Sequence, residues 1–181
     1  MAITDTPTGY GSVSRALHWT MAAAIIVLFG LGLWMVGLDY YSPYYQSAPD
    51  VHRSIGILVF VALVLRSGWR LGNVKPDDSD LAPFARTASR AVHRAFYVLL
   101  FVLTISGYFI STSDGRPIEV FGLFRVPSAI QSVGLEDAAG LVHRWTAYGI
   151  MVLASVHTAA AIWHHAFERR HTLSRMWSGP A

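Results

Sequence analysis

The sequence predicts an all-α integral membrane protein: one four-helix bundle forming a single domain over residues 1–181. Three observations carry this. Hydrophobic residues make up 53% of the 181 and charged residues only 14%, against roughly 25% charged in an ordinary soluble domain. Four apolar runs, at about 16–38, 51–71, 91–110 and 141–165, each approach or exceed the ~20 residues a helix needs to cross a bilayer. The polar stretches between them are too short to bury cores of their own.

Taken in order, helix 1 carries His18 one turn inside its start, followed by Trp19, with Gly30 and Gly32 further along. Small residues of this kind let a neighbouring backbone or a flat ligand approach. Asp39 to Asp50 is a short connection whose tyrosines suit the membrane interface. Helix 2 opens with His52 and Arg53, has Gly56 one turn later, and ends with Arg66, Trp69 and Arg70. Gly72 to Ser89 reads as a polar loop with Pro76, Pro83 and the acids Asp77, Asp78 and Asp80. Helix 3 has His93 near its start. The stretch Ser111 to Gly140 is the longest connection, and its mixture of apolar residues with glycine and proline predicts a re-entrant or surface-lying segment with one short helix. The tail from Phe167 to Ala181 is basic and polar.

Helix 4 is the most informative. LVHRWTAYGIMVLASVHTAAAIWHH (Leu141 to His165) holds four histidines, His143, His157, His164 and His165. Ionisable side chains within a span are costly and mark function. His143 and His157 are fourteen residues apart, close to four whole turns, so they share one face at a separation of about 21 Å.

Composition narrows the chemistry. There is no cysteine, which removes disulfides, iron–sulfur clusters and covalent c-type haem attachment. The net charge of +3 does not point to nucleic acid, because the basic residues cluster at helix ends as topology signals. Residues 1–14 lack the apolar core of a cleavable signal, so the first apolar run is expected to remain as a span. One side of the membrane receives Arg15, Arg66, Arg70, Lys75, Arg86, Arg90, Arg94, Arg169, Arg170 and Arg175. The other receives only Arg53, Arg116, Arg125 and Arg144. The bias predicts both termini in the cytoplasm.

That topology gives each histidine a depth. His52 and His143 fall together on the outer side, and His18 and His157 on the inner side. On depth alone His93 could replace either inner ligand. Two imidazoles per level suit a six-coordinate haem, whereas zinc would require three or four ligands at each. The glycines, with Gly149 and Ala159 to Ala161, leave room for a flat cofactor, although they also serve helix packing. His164 lies seven residues after His157 on the same face, open to a quinone or proton role or to simple interfacial solvation. His165 and His171 read as interface and tail residues. Arg53 and Arg144, each beside a ligand histidine, suit haem propionates, and with Arg116 and Arg125 they would form a cationic outer face able to steer an anion.

Several segments resemble the bacterial cytochrome b561 family, the four-helix dihaem cytochromes that include superoxide oxidase. They are RALHW (Arg15 to Trp19), VHRSIGILVFVALVLRSGWR (Val51 to Arg70), HRAFYVLLF with Gly107, RPIEVFGL (Arg116 to Leu123), HTAAAIWHHAF (His157 to Phe167) and HTLSRM (His171 to Met176). The resemblance spans nearly the whole chain. It implies two non-covalent b haems held by His18 with His157 and by His52 with His143, with Arg15 joining Arg53 and Arg144 in the cofactor-binding set. It also implies a ubiquinone site at the cytoplasmic end, where His93 and His164 match family positions.

The implied activity is superoxide:ubiquinone oxidoreduction, with His93 or His164 relaying protons. A quinol-oxidising conduit serving a periplasmic electron-transfer partner would use the same features. A non-enzymatic metal transporter or sensor is a more remote reading, since nothing acidic lies within the spans to move cations. Membrane lipid is the expected surrounding, and the sequence leaves the oligomeric state open.

Overall fold

The computed structural model describes residues 2–79, 81–168 and 172–177. Asp80, Arg169, Arg170 and His171 lie outside the described residues. The long elements are α1 (Ser12–Met35), α2 (Ser47–Gly72), α3 (Pro83–Thr112) and α4 (Leu135–Ala166), all long and apolar enough to cross a membrane. Two short strands, β1 (Ile118–Val120) and β2 (Phe124–Val126), separate α3 from α4, and a short helix α5 (Thr172–Trp177) ends the described chain.

The four helices exist where the apolar runs predicted them, but α3 begins eight residues before the expected position and α4 six. At 1.5 Å per residue the 32 residues of α4 extend about 48 Å, well beyond a hydrocarbon core of about 30 Å. Hydropathy registers only the part of a helix that lies in lipid. The projecting turns are read instead from their termini: Pro83 at the start of α3, and Glu136 and Asp137 in the first turn of α4, where negative charge suits the helix dipole.

Consecutive helices pack side by side, α1 on α2, α2 on α3 and α3 on α4. Phe29 and Tyr148 meet edge to face at 5.7 Å, joining α1 to α4. The buried centre is a single apolar layer of Met21, Val59, Leu63, Leu100 and Ile150, with side chains from all four helices.

The expected short helix between α3 and α4 is instead a β-hairpin. Ile118 pairs with Val126 and Val120 with Phe124. The turn places Phe121 and Gly122 at positive φ (49° and 71°), as a type I′ turn requires. Ile118 and Val120 are buried, and alternation at strand period turns Glu119 outward. Ser54, buried in α2, fixes the hairpin: its hydroxyl donates to the Glu119 carbonyl at 3.3 Å and accepts from the Phe121 N–H at 3.1 Å.

The opposite end of the bundle carries both termini. Asp5 is buried there and accepts from the Gly11 N–H at 2.8 Å and the Ser14 hydroxyl at 2.9 Å, supplying α1 with a cap from outside the helix. The last helix closes on the first: Arg15 donates to the Trp177 carbonyl at 2.6 Å and Trp19 to the Met176 carbonyl at 2.9 Å.

Candidate functional site

A fourteen-residue spacing recurs on every helix of the bundle. It separates His18 from Gly32 on α1, His52 from Arg66 on α2, His93 from Gly107 on α3 and His143 from His157 on α4. Fourteen residues are close to four turns, so each pair lies on nearly one face of its helix. Val59, Leu100 and Ile150 sit seven residues from both members of their pairs, and they belong to the buried apolar layer. The interior is therefore stratified. Gly32, His52, Gly107 and His143 form a layer toward the hairpin, and His18, Arg66, His93 and His157 form a layer toward the termini.

In the hairpin-side layer the rings of His52 and His143 stand 6.2 Å apart between centroids, inclined at 69°. Two metal–imidazole bonds of about 2 Å each, with roughly 1 Å from each nitrogen to its ring centre, separate the axial rings of one metal by about 6 Å. His143 Nδ1 lies 2.9 Å from the Leu103 carbonyl and 3.3 Å from the Ser106 hydroxyl. A carbonyl can only accept, so Nδ1 carries the proton and Nε2 keeps the lone pair that a metal needs. His52 Nδ1 is buried without a hydrogen-bond partner.

The two glycines of this layer sit directly against the two rings. A Cβ at Gly32 would lie 3.4 Å from His52 Cε1, and one at Gly107 would lie 3.0 Å from His143 Cε1. Gly30, Gly56 and Gly149, also expected to make room, have nothing within 4 Å of such a Cβ. The donor set, the ring separation and the glycine cradle all fit a bis-histidine haem.

The termini-side layer is more crowded. His157 meets His93 at a ring separation of 5.4 Å, and Phe96 at 5.5 Å. His18 lies within electrostatic reach of both His157 and His93. His93 Nδ1 donates to the Ser89 carbonyl at 2.7 Å, the same arrangement as in His143, which leaves its Nε2 as acceptor. His18 Nδ1 instead accepts from Arg66 Nη2 at 3.2 Å, and Arg66 Nε donates to the Tyr97 hydroxyl at 3.4 Å. Depth admitted three inner histidines, and the structure gathers all three.

The remaining candidates lie at the ends. His164 is half-buried, with the Glu168 carboxylate 3.1 Å from its Nδ1, and His165 is exposed. Arg15 ties α1 to the last helix. The outer arginines do not form the uncompensated cationic face that the sequence suggested. Arg53 is paired with Asp50, Arg116 with Asp114 at 2.5 Å and Arg125 with Glu119 at 2.6 Å, and Arg116 holds the Asp114 carboxyl below the usual range. Arg144 is exposed. The carboxylates come from loops and from the hairpin, so counting arginines alone could not reveal the pairing.

A cavity of about 500 Å³ opens between α2, the end of α3 and the hairpin. Val51 and Arg53, the sequence neighbours of His52, line it, with Asp50, Asp114, Arg116 and Phe121. Arg66 is the site residue that sequence reasoning missed. It was counted as a topology signal, although its distance from His52 repeats the spacing used on helix 4.

Comparison with known proteins follows this geometry. The family model described as prokaryotic cytochrome b561 matches residues 9–179. The chain is 46% identical over 178 residues to "Cytochrome b561 homolog 2" of Escherichia coli (strain K12), covering 97% of this chain and 95% of that protein.

Proposed function

The chain belongs to the prokaryotic cytochrome b561 family of membrane electron-transfer haem proteins, and on that premise we propose that it is a superoxide:ubiquinone oxidoreductase of the bacterial inner membrane, with both termini cytoplasmic. Two superoxide anions lose one electron each and leave as dioxygen, while ubiquinone takes up two electrons and two protons to become ubiquinol. Two b haems supply the one-electron path between these reactions. His52 and His143 would hold the outer one. His157 would hold the inner one with His18, the partner favoured by resemblance to the family, or with His93, the partner favoured by ring contact.

The observation that supports the reading is the outer imidazole pair, one member of which lies on a helix turn whose residues Val51 and Arg53 line an open cavity, with the second imidazole layer about 21 Å away at the other end of the same helix faces. A small donor entering the cavity meets Val51 and Arg53, the sequence neighbours of His52. At the inner end His164, with Glu168 beside it, supplies a proton-active group near the cytoplasmic surface. Arg53 and Arg144 flank the outer histidines and remain the candidates for propionate pairing.

The closed pairs Arg53–Asp50, Arg116–Asp114 and Arg125–Glu119 weaken anion steering and favour a second reading, an outward conduit from quinol to a periplasmic electron-transfer partner. Stopped-flow absorbance on the purified protein in detergent, pulsed with superoxide in the presence of ubiquinone, separates the two. Rapid haem reduction followed by ubiquinol formation supports the first reading. Haem that ignores superoxide but is reduced by ubiquinol supports the second. In the first case, His164→Ala should slow ubiquinol formation with both haem spectra intact.

A further inference from the structure

We propose that Arg66 acts as a fixed positive charge built into the inner imidazole layer that raises the affinity of that site for an electron above that of the outer site. The inference rests on reading the two layers as haem sites.

An arginine inside a span is costly and is retained for a reason. Arg66 lies six residues before the end of α2, so its side chain could snorkel to the membrane surface. Its contacts instead run across the bundle, to His18 on α1 and Tyr97 on α3. Neither partner is a carboxylate, and among the described residues no carboxylate forms an ion pair with Arg66. The guanidinium is therefore half-buried, inside a low-dielectric region, without compensation.

The outer layer has no equivalent. At the corresponding positions on the four helices it holds two histidines and two glycines. The nearest outer arginine in sequence, Arg53, is closed by Asp50, and Arg144 is exposed. Gaining an electron removes one positive charge from a site, so a fixed cation nearby favours the reduced state. The charge acts at either choice of inner ligand: His18 lies within electrostatic reach of Arg66, and His93 within reach of Arg70 and of Arg66. The asymmetry places an electron preferentially on the inner site at equilibrium.

The test is spectroelectrochemical titration of the purified full-length protein, comparing wild type with Arg66→Leu, Arg66→Gln and Arg66→Lys. The inner haem is identified as the one lost in His157→Ala. The neutral variants should retain both haems and lower the inner midpoint alone. The expected size is at least a tenfold shift in electron partition between the sites, about 59 mV for one electron. Arg66→Lys, which keeps the charge, should shift less. Unchanged midpoints in both neutral variants overturn the proposal. So does loss of the inner haem from both with Arg66→Lys at wild-type midpoints, which would make Arg66 an anchor. These potentials are measured without superoxide or quinone. A wild type that fails to react with superoxide overturns the proposed activity and leaves the Arg66 result standing.

Discussion

His52 and His143 are separated by 91 residues of sequence, yet their rings face each other with centroids 6.2 Å apart and a glycine against each ring. The pair belongs to two helices that are not consecutive in the chain. Its geometry therefore reports how the bundle closes as well as where each histidine lies along its helix.

Replacing either member should remove one site and spare the other. His52→Ala or His143→Ala is expected to lose one of two b haems, together with reactivity toward an outer donor. The pyridine haemochrome content per protein would fall by half, and retention of both haems in His52→Ala would refute the pairing.

Gly107 should be intolerant of any side chain. A Cβ there stands 3.0 Å from His143 Cε1, so Gly107→Val must displace the ring or the helix, and overpacking of this kind costs about 1–3 kcal/mol. Thermal unfolding in detergent should move to lower temperature, with the outer haem spectrum perturbed and the inner one retained.

The inner ligand is decided by comparing two variants. If resemblance to the family is the better guide, His18→Ala loses the inner haem and His93→Ala keeps it while slowing quinone reduction. If the 5.4 Å contact between His93 and His157 is the better guide, the outcomes exchange. Reduced-minus-oxidised difference spectra of the two proteins read this directly.

Asp78 should link the loop before α3 to pH. Its carboxyl is pushed down to about 2 by hydrogen bonds from Arg90 and then Lys75, with Arg90 at 3.1 Å and Lys75 at 2.6 Å. A depressed folded-state value contributes stability above the unfolded pKa of about 4, and that stability is lost as pH falls through about 2. The difference in unfolding temperature between wild type and Asp78→Asn should be present at pH 6, shrink below pH 4 and decrease with added salt, as exposed ion pairs do.

Much of the site was legible because its signals are local. Hydropathy located the four spans, and helical period put His143 and His157 on one face. The same arithmetic on α2 places Arg66 on the face of His52, but a basic residue near a helix end equally satisfies the rule for membrane orientation, so its type and position alone do not mark it as a site residue. The hairpin was missed because Ile118, Val120, Phe124 and Val126 alternate over only a few residues, too short a stretch to distinguish a strand from an interfacial segment.

The sequence by itself determined the number of membrane-length helices and the position of each histidine along α1 to α4, because each depends only on distance along one helix. The tertiary structure decided which residues face one another. Gly32 lies against His52, Gly107 against His143, Arg66 beside His18, His93 beside His157, and the outer arginines against loop carboxylates. Those contacts depend on the rotation of each helix about its own axis and on where the connecting loops fold back. Both are set by packing between distant segments, and no window of neighbouring residues contains them.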